Sequence, residues 1–281
     1  VAHGCADVVE EIPVQAPWSF GPIPPGQITA PSYQESVHMA VDWAVDWTLA
    51  NPDRRIITGG YSQGGEAASR YRMEFEGGRL TQLRSKFLGG ICFGNPSRHL
   101  EHTFYLGPLT DGEGIAQFRL PQMGFEWCEL VDTYDMYGGV PPTLTGEIMR
   151  DVYTCCTELQ LHDFGQFAID LAGNCLEVIQ NLDGDAYDDM LRGVERHNID
   201  LSQATIFPME KLIMPLGDKL SVKGIAAAIQ AAVLGIQFIC WQPPTAPHIE
   251  YHIREALPGM TYVALGIQHV RDHSSHGVPA G

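Results

Sequence analysis

Gly60-Tyr61-Ser62-Gln63-Gly64 sets one serine between two glycines, after the apolar run "RRIIT" and before the helix-like run "EAASRY". A serine hydroxyl is a weak nucleophile until a sharp turn exposes it and a base takes its proton. The G-x-S-x-G spacing on a strand-to-helix turn meets the first need, because small flanking residues permit a strained backbone that lifts the Ser62 hydroxyl above a sheet. The amide of Gln63, at the helix N-terminus, is then placed to donate to an oxyanion. The chemistry expected is acyl transfer through serine. The pentapeptide alone is a weak signal; its place between a strand and a helix gives it weight.

A nucleophilic serine needs a histidine base and an acid that orients it, and on such an elbow they follow in the order serine, acid, histidine. Eleven histidines compete. His3 and His38 precede Ser62. His99 and His102 come too soon after "FGNP" to follow an acid on a later strand, and His162 and His197 fall in helix-like sequence. His248, in the proline-rich "PPTAPHIEY", is the expected base, with His252 one helical turn later as the alternative. For the acid, "LVDTYDMYGG" offers two aspartates. Asp135 is favoured because it falls beyond a strand's carboxyl end, where open α/β sheets gather their sites. Asp132, still within the strand, is the fallback, with turn stabilisation as its other role.

These residues need elements to position them. Residues 1–34 are proline-rich and irregular. Val37, Ala40, Val41, Ala44, Val45 and Thr48 recur at helical spacing and predict a helix from Ser36 to about Ala50, stopped by "NPDR". "RRIITGG", "KFLGGICFGNP" and part of "WCELVDTYDMYGG" read as strands. This alternation predicts an α/β fold built on a parallel sheet. Residues 1–140 form the first part of the core, and 141–241 a largely helical insertion. Residues 242–268 return to the core as the His248 loop and a helix. Residues 269–281 lack periodicity and are expected to be a mobile tail.

The 281 residues fit a core with an insertion, and 44% hydrophobic content is enough to bury one. With 17 basic against 34 acidic side chains the net charge is −17. Such a chain repels phosphate backbones and anionic membrane surfaces, so nucleic acid is not an expected partner and a neutral or lipid-like substrate fits better. Seven cysteines (Cys5, Cys92, Cys128, Cys155, Cys156, Cys175 and Cys240) form an odd, irregular set, which argues for buried thiols in a reducing compartment. No signal-peptide pattern follows Val1. Gly224–Cys240 is apolar but carries Gln230 and Gln237 and is near the lower limit for a bilayer span, so it reads as a packed helix with no transmembrane anchoring. No metal is expected. "DGDAYDD" puts Asp188 where a calcium loop needs glycine and Val194 where it needs glutamate, and His269, His273 and His276 lie in a tail without a fixed scaffold. No organic cofactor is needed.

"GGYSQGG", "FGNP", "YDMYG" and "PHIEY", in that order and with a helical segment between the last two, resemble the lysin B esterases of phages that infect mycobacteria, themselves relatives of cutinases. The resemblance runs from about Phe20 to Ala256. It implies a cutinase-like α/β-hydrolase fold in which the helical insertion is the family's linker domain. It also implies Ser62 as nucleophile, Asp135 as acid and His248 as base, with no cofactor. The implied substrate is mycolyl-arabinogalactan, or another lipid ester, cleaved by a phage lysis enzyme made in the host cytoplasm and acting on the host envelope. The alternatives are a virion-associated esterase with phage tail proteins as partners, a general cutinase or lipase, and a non-catalytic envelope-binding module. A substrate of that length calls for an apolar groove, for which Gly224–Cys240 is a candidate wall. Family members usually open on an apolar strand ending in H-G-T or R-G-T, and the loop after it supplies a second oxyanion amide. Here "VAHGC" opens the chain. Either His3-Gly4 is a remnant with the Cys5 amide as donor, or "ADVVEE" aligns further along and the first strand is missing or replaced.

Overall fold

Ser32 and Glu35 form a capping box at the start of α1 (Tyr33–Ala50): the Glu35 N–H donates to Ser32 Oγ at 3.2 Å and the Ser32 N–H to Glu35 Oε2 at 2.7 Å. Two otherwise orphaned helix-end donors are satisfied in this way, so the helix begins at Tyr33 and not at Ser36. The computed structural model describes residues 1–19, 30–100, 102, 112–158, 227, 230, 231, 234, 235, 242, 243 and 245–275. The buried stripe of α1 is Tyr33, Ser36, Val37, Ala40, Val41, Val45 and Thr48. It packs on α2 (Gln63–Glu76), which in turn packs on β1 (Ile56–Tyr61).

β1, β2 (Phe87–Phe93) and β3 (Trp127–Leu130) form a parallel sheet in that order, with Gly60 beside Cys92 and Cys92 beside Glu129. Parallel neighbours require a crossover, and α2 provides the one between β1 and β2. The side-chain alternation of the strands then sorts two cores. Cys92 and Trp127 point to one face and pack with Ala68 of α2 and Leu120. Ile91, Phe93, Cys128 and Leu130 point to the other and pack with Cys5, Tyr251, Tyr262, Leu265 and Val270. The second face is covered by α5 (Tyr262–Ser275). Helices on both faces of a parallel sheet make this an α/β fold, as the strand and helix rhythm predicts.

α3 (Leu144–Glu158) opens the expected helical segment 141–241 and buries Ile148, Met149 and Tyr153. Thr145 Oγ1 donates to Gln230 Oε1 at 2.8 Å. Residues 227, 230, 231, 234 and 235 are helical, Ala227, Ala231 and Gly235 being buried; the rest of Gly224–Cys240, the acidic run Asp183–Asp189, His162 and His197 lie outside the described residues. Among the described residues no helix is long and apolar enough to cross a membrane. Cys5, Cys92 and Cys128 are free and buried.

The chain beyond Thr245 differs from its sequence reading. A single turn, α4 (Ala246–Ile249), carries His248. A hairpin follows, β4 (Glu255–Leu257) paired with β5 (Met260–Thr261). The expected terminal helix comes only after it, as α5, and runs on to Ser275, so residues 269–275 are helix and not a mobile tail. The reason lies in the buried face of α5, which reads Tyr262, Leu265, Gly266, His269 and Val270. The spacing is helical, but a glycine and a histidine hold two of the five places, and a hydrophobic pattern does not register them. At Gly266 a Cβ would fall 2.4 Å from Ile91 Cδ1. His269 is fully buried, and its Nε2–H donates to the Glu126 carbonyl at 3.2 Å. Burial first, and then His273, lowers the His269 pKa to about 4, so it remains neutral inside. Among the described residues no group of three or more His, Cys, Asp or Glu could hold a metal ion.

Candidate active site

Ser62 stands between β1 and α2 with φ 54° and ψ −122°, a conformation uncommon for a residue with a side chain. A serine at a helix N-cap usually spends its oxygen on the first-turn amides. Ser62 makes no side-chain cap bond. The elbow is held by backbone: Ser62 N–H donates to Phe93 O at 3.0 Å, and Gly65 N–H donates to Ser62 O at 2.8 Å. Of the two flanking glycines, Gly60 is the one that sterics demand, since a Cβ there would lie 2.1 Å from Gly64 O, whereas one at Gly64 would meet nothing within 4 Å.

Asp135 and His248 meet at the carboxyl end of the sheet, Nδ1–H of the imidazole donating to Asp135 Oδ2 at 2.8 Å. Both side chains are buried. The Tyr137 N–H donates to Asp135 Oδ1 at 3.0 Å, and the Tyr251 hydroxyl donates to Oδ2. The imidazole packs beside two rings, with centroids 5.0 Å from Tyr61 and 4.4 Å from Tyr137. Gly94, with φ +54°, backs the pair: a Cβ there would fall 2.5 Å from Asp135 Oδ2 and 2.7 Å from His248 Nδ1. Because Phe93 holds the Ser62 amide and Gly94 touches the Asp–His pair, consecutive residues of β2 and its exit link the elbow to both side chains.

Asp132 takes a different part. Arg254 grips it, with Nε–H donating to Oδ2 at 2.6 Å and an Nη2–H to Oδ1 at 3.2 Å, and Tyr134 N–H donates to Oδ1 at 3.0 Å. It therefore anchors the turn that presents Asp135. His252 is exposed. Gln63 is the first residue of α2, where helix amides lack intrahelical partners. Its side chain is committed elsewhere, with Nε2–H groups donating to Ser19 O at 3.0 Å and Tyr33 O at 3.2 Å. Cys5 closes a 3-10 turn (Ala2–Cys5) and donates its thiol to Ile267 O at 3.6 Å. Its contacts run to α5 and the core behind the sheet, and nothing among the described residues joins it to Ser62 or Gln63.

Buried polar groups behind the pair were not evident in the sequence. Arg98 is fully buried, donating at 2.5 Å to Gly138 O and at 2.7 Å to Gly112 O, so it fixes the loop that carries Asp135. Asn95 joins α2 to β3: its Nδ2–H2 donates to Ser69 Oγ and to Glu129 Oε1, each at 2.8 Å. The tyrosine three residues after His248 and the arginine three further on were visible as types. Nothing local in the sequence told that they would reach back to the two aspartates.

Glu129 lies under the elbow helix. Trp127 Nε1–H donates to its Oε1 at 2.7 Å, while Oε2 is buried without a hydrogen-bond partner among the described residues. Burial raises its pKa from 4.5 to about 7. The folded state therefore prefers the neutral acid. The associated stability is fully present below the unfolded pKa and is lost as pH rises through about 7. Glu129→Gln is expected to flatten the fall of Tm between pH 5 and pH 8, removing a term on the order of 3 kcal/mol. Parallel Tm profiles for the two proteins would refute this.

The class so defined is an α/β fold with a strained serine on a strand-to-helix elbow and a hydrogen-bonded Asp–His pair at the carboxyl end of the sheet. No family model matches the chain, and no curated protein does. Among solved structures the chain is similar to lysin B from Mycobacteriophage D29, at 17% identity and a TM-score of 0.45, covering 96% of this chain and 90% of that one.

Proposed function

We propose that this chain is a serine esterase that hydrolyses the mycolate–arabinogalactan ester of mycobacterial-type cell walls, as a phage lysis enzyme. The observation that carries the chemistry is the buried Asp135–His248 hydrogen bond beside a serine elbow whose hydroxyl does not cap its own helix. The substrate is proposed from the four sequence motifs and from a net charge of −17 that favours an uncharged ester over a phosphate-bearing partner.

Asp135 accepts from Nδ1–H and so leaves His248 Nε2 as the basic nitrogen. Nε2 takes the Ser62 proton as Oγ attacks the ester carbonyl. The Gln63 amide, at the positive end of α2, donates to the developing oxyanion, an interaction worth about 2.7–4 kcal/mol in serine hydrolases. His248 returns the proton to the leaving sugar hydroxyl. Water, deprotonated by Nε2, then attacks the acyl carbonyl, and the bond to Ser62 Oγ breaks as Nε2 returns that proton to Oγ and the free acid leaves.

The test is incubation with purified mycolyl-arabinogalactan, comparing the intact chain with Ser62→Ala and assaying free mycolic acid by thin-layer chromatography. Release by the intact chain alone is expected. Release by both, or by neither, would contradict the assignment.

A further inference from the structure

We propose that Tyr251 is a positioning residue that sets the basicity of His248 through Asp135. This rests on the esterase reading for its consequence in catalysis, though not for its geometry. Asp135 Oδ2 is shared: His248 Nδ1–H donates to it at 2.8 Å, and the Tyr251 hydroxyl donates to the same oxygen. The phenol has little freedom to turn its proton elsewhere, because Asp132 N–H donates to Tyr251 Oη at 3.2 Å and occupies an accepting direction. Its ring is walled edge-on by Tyr262 at 5.2 Å and Phe93 at 5.6 Å, with Tyr61 at 6.4 Å. It is the third residue after His248, so one short segment delivers both the imidazole and the second donor to Asp135.

A hydrogen bond to a carboxylate spreads its charge and weakens what a second donor on the same oxygen feels. Tyr251 therefore competes with the imidazole for Asp135 Oδ2. The phenol remains a donor at working pH, since burial first and the Asp135 charge second hold its pKa well above the ordinary value. Among the described residues, further groups face the pair. Asp132 is paired with Arg254, Tyr61 and Tyr137 set tilted rings beside the imidazole, and Tyr262 and Arg98 feel the Asp135 charge.

The experiment is Tyr251→Phe in the full chain, with two readouts. The acidic limb of kcat/KM for p-nitrophenyl butyrate is expected to move up by about half a pH unit or more, with kcat at the plateau falling about tenfold as the carboxylate loses its second tether. The imidazole titration of His248, followed by ¹⁵N NMR in a Ser62→Ala background, is expected to move in the same direction and needs no turnover. Site-specific 3-fluorotyrosine at 251, a stronger donor of nearly the same shape, is expected to move both readouts the other way, and it serves if the phenylalanine variant does not fold. A His248 titration unmoved by either change overturns the proposal. An intact chain with no esterase activity, but with the shifted titration, would instead sink the functional reading and leave the role of Tyr251 in tuning the imidazole standing.

Discussion

Ser62→Ala is expected to cut p-nitrophenyl butyrate hydrolysis by about 10⁶-fold, the scale on which loss of a nucleophilic serine acts in serine hydrolases. The protein is expected to keep its fold. Ser62 gives no side-chain bond to the helix it precedes, and the turn is held by its N–H on Phe93 O and its carbonyl on Gly65 N–H, all of which alanine retains. The φ of 54° is as tolerable to alanine as to serine. Thermal melting is thus expected to shift by no more than the equivalent of about 0.5 kcal/mol. Hydrolysis in the alanine variant above about 1% of the parent rate would place the nucleophile elsewhere.

The second large effect is expected at a residue with no chemistry of its own. Gly94→Ala sets a Cβ 2.5 Å from Asp135 Oδ2 and within 2.8 Å of His248 Nδ1 and Cε1. Those atoms form the Asp–His hydrogen bond, so the methyl cannot be housed without parting them. The φ of +54° adds roughly 1–2 kcal/mol for any residue with a Cβ. Activity is expected to fall about 10⁴-fold, comparable to losing the orienting acid of a triad. Steady-state kinetics beside a melting curve would check it; a folded Gly94→Ala protein with activity within tenfold of the parent would show that the pair does not need its present place.

The elbow at Ser62 and the pairing of Asp135 with His248 were legible in the primary structure. Ser62, Asp135 and His248 stand in an order and among punctuating residues that the chemistry requires, and local signals of that kind persist in a single chain. The three strands were legible for the same reason, as short apolar runs closed by turn residues. What escaped was set by contacts distant in the chain. Glu129 alternates into a core face like any strand residue, and only the fold shows that Trp127 and Asn95 meet it. Asp132 needed Arg254, 122 residues away, to become an anchor. The position and extent of α5 were missed because Gly266 and His269 hold part of its inward face, one in close approach to Ile91 and the other bonded to Glu126 O. Cys5 is the converse, where a short motif suggested an oxyanion role for the amide and the described contacts of the side chain run to Ile267 and the core.

The partners in the Asp135–His248 bond are 113 residues apart in the chain. On the ribosome, Ser62 and Asp135 emerge long before His248 does. If the esterase reading holds, a nascent polypeptide is latent: it cannot cleave an ester until α4 and the helix that follows have docked on a sheet already made. Synthesis inside a cell is thereby insulated from premature activity, and damage that dislodges the closing helix would silence the protein without altering any residue of its catalytic centre.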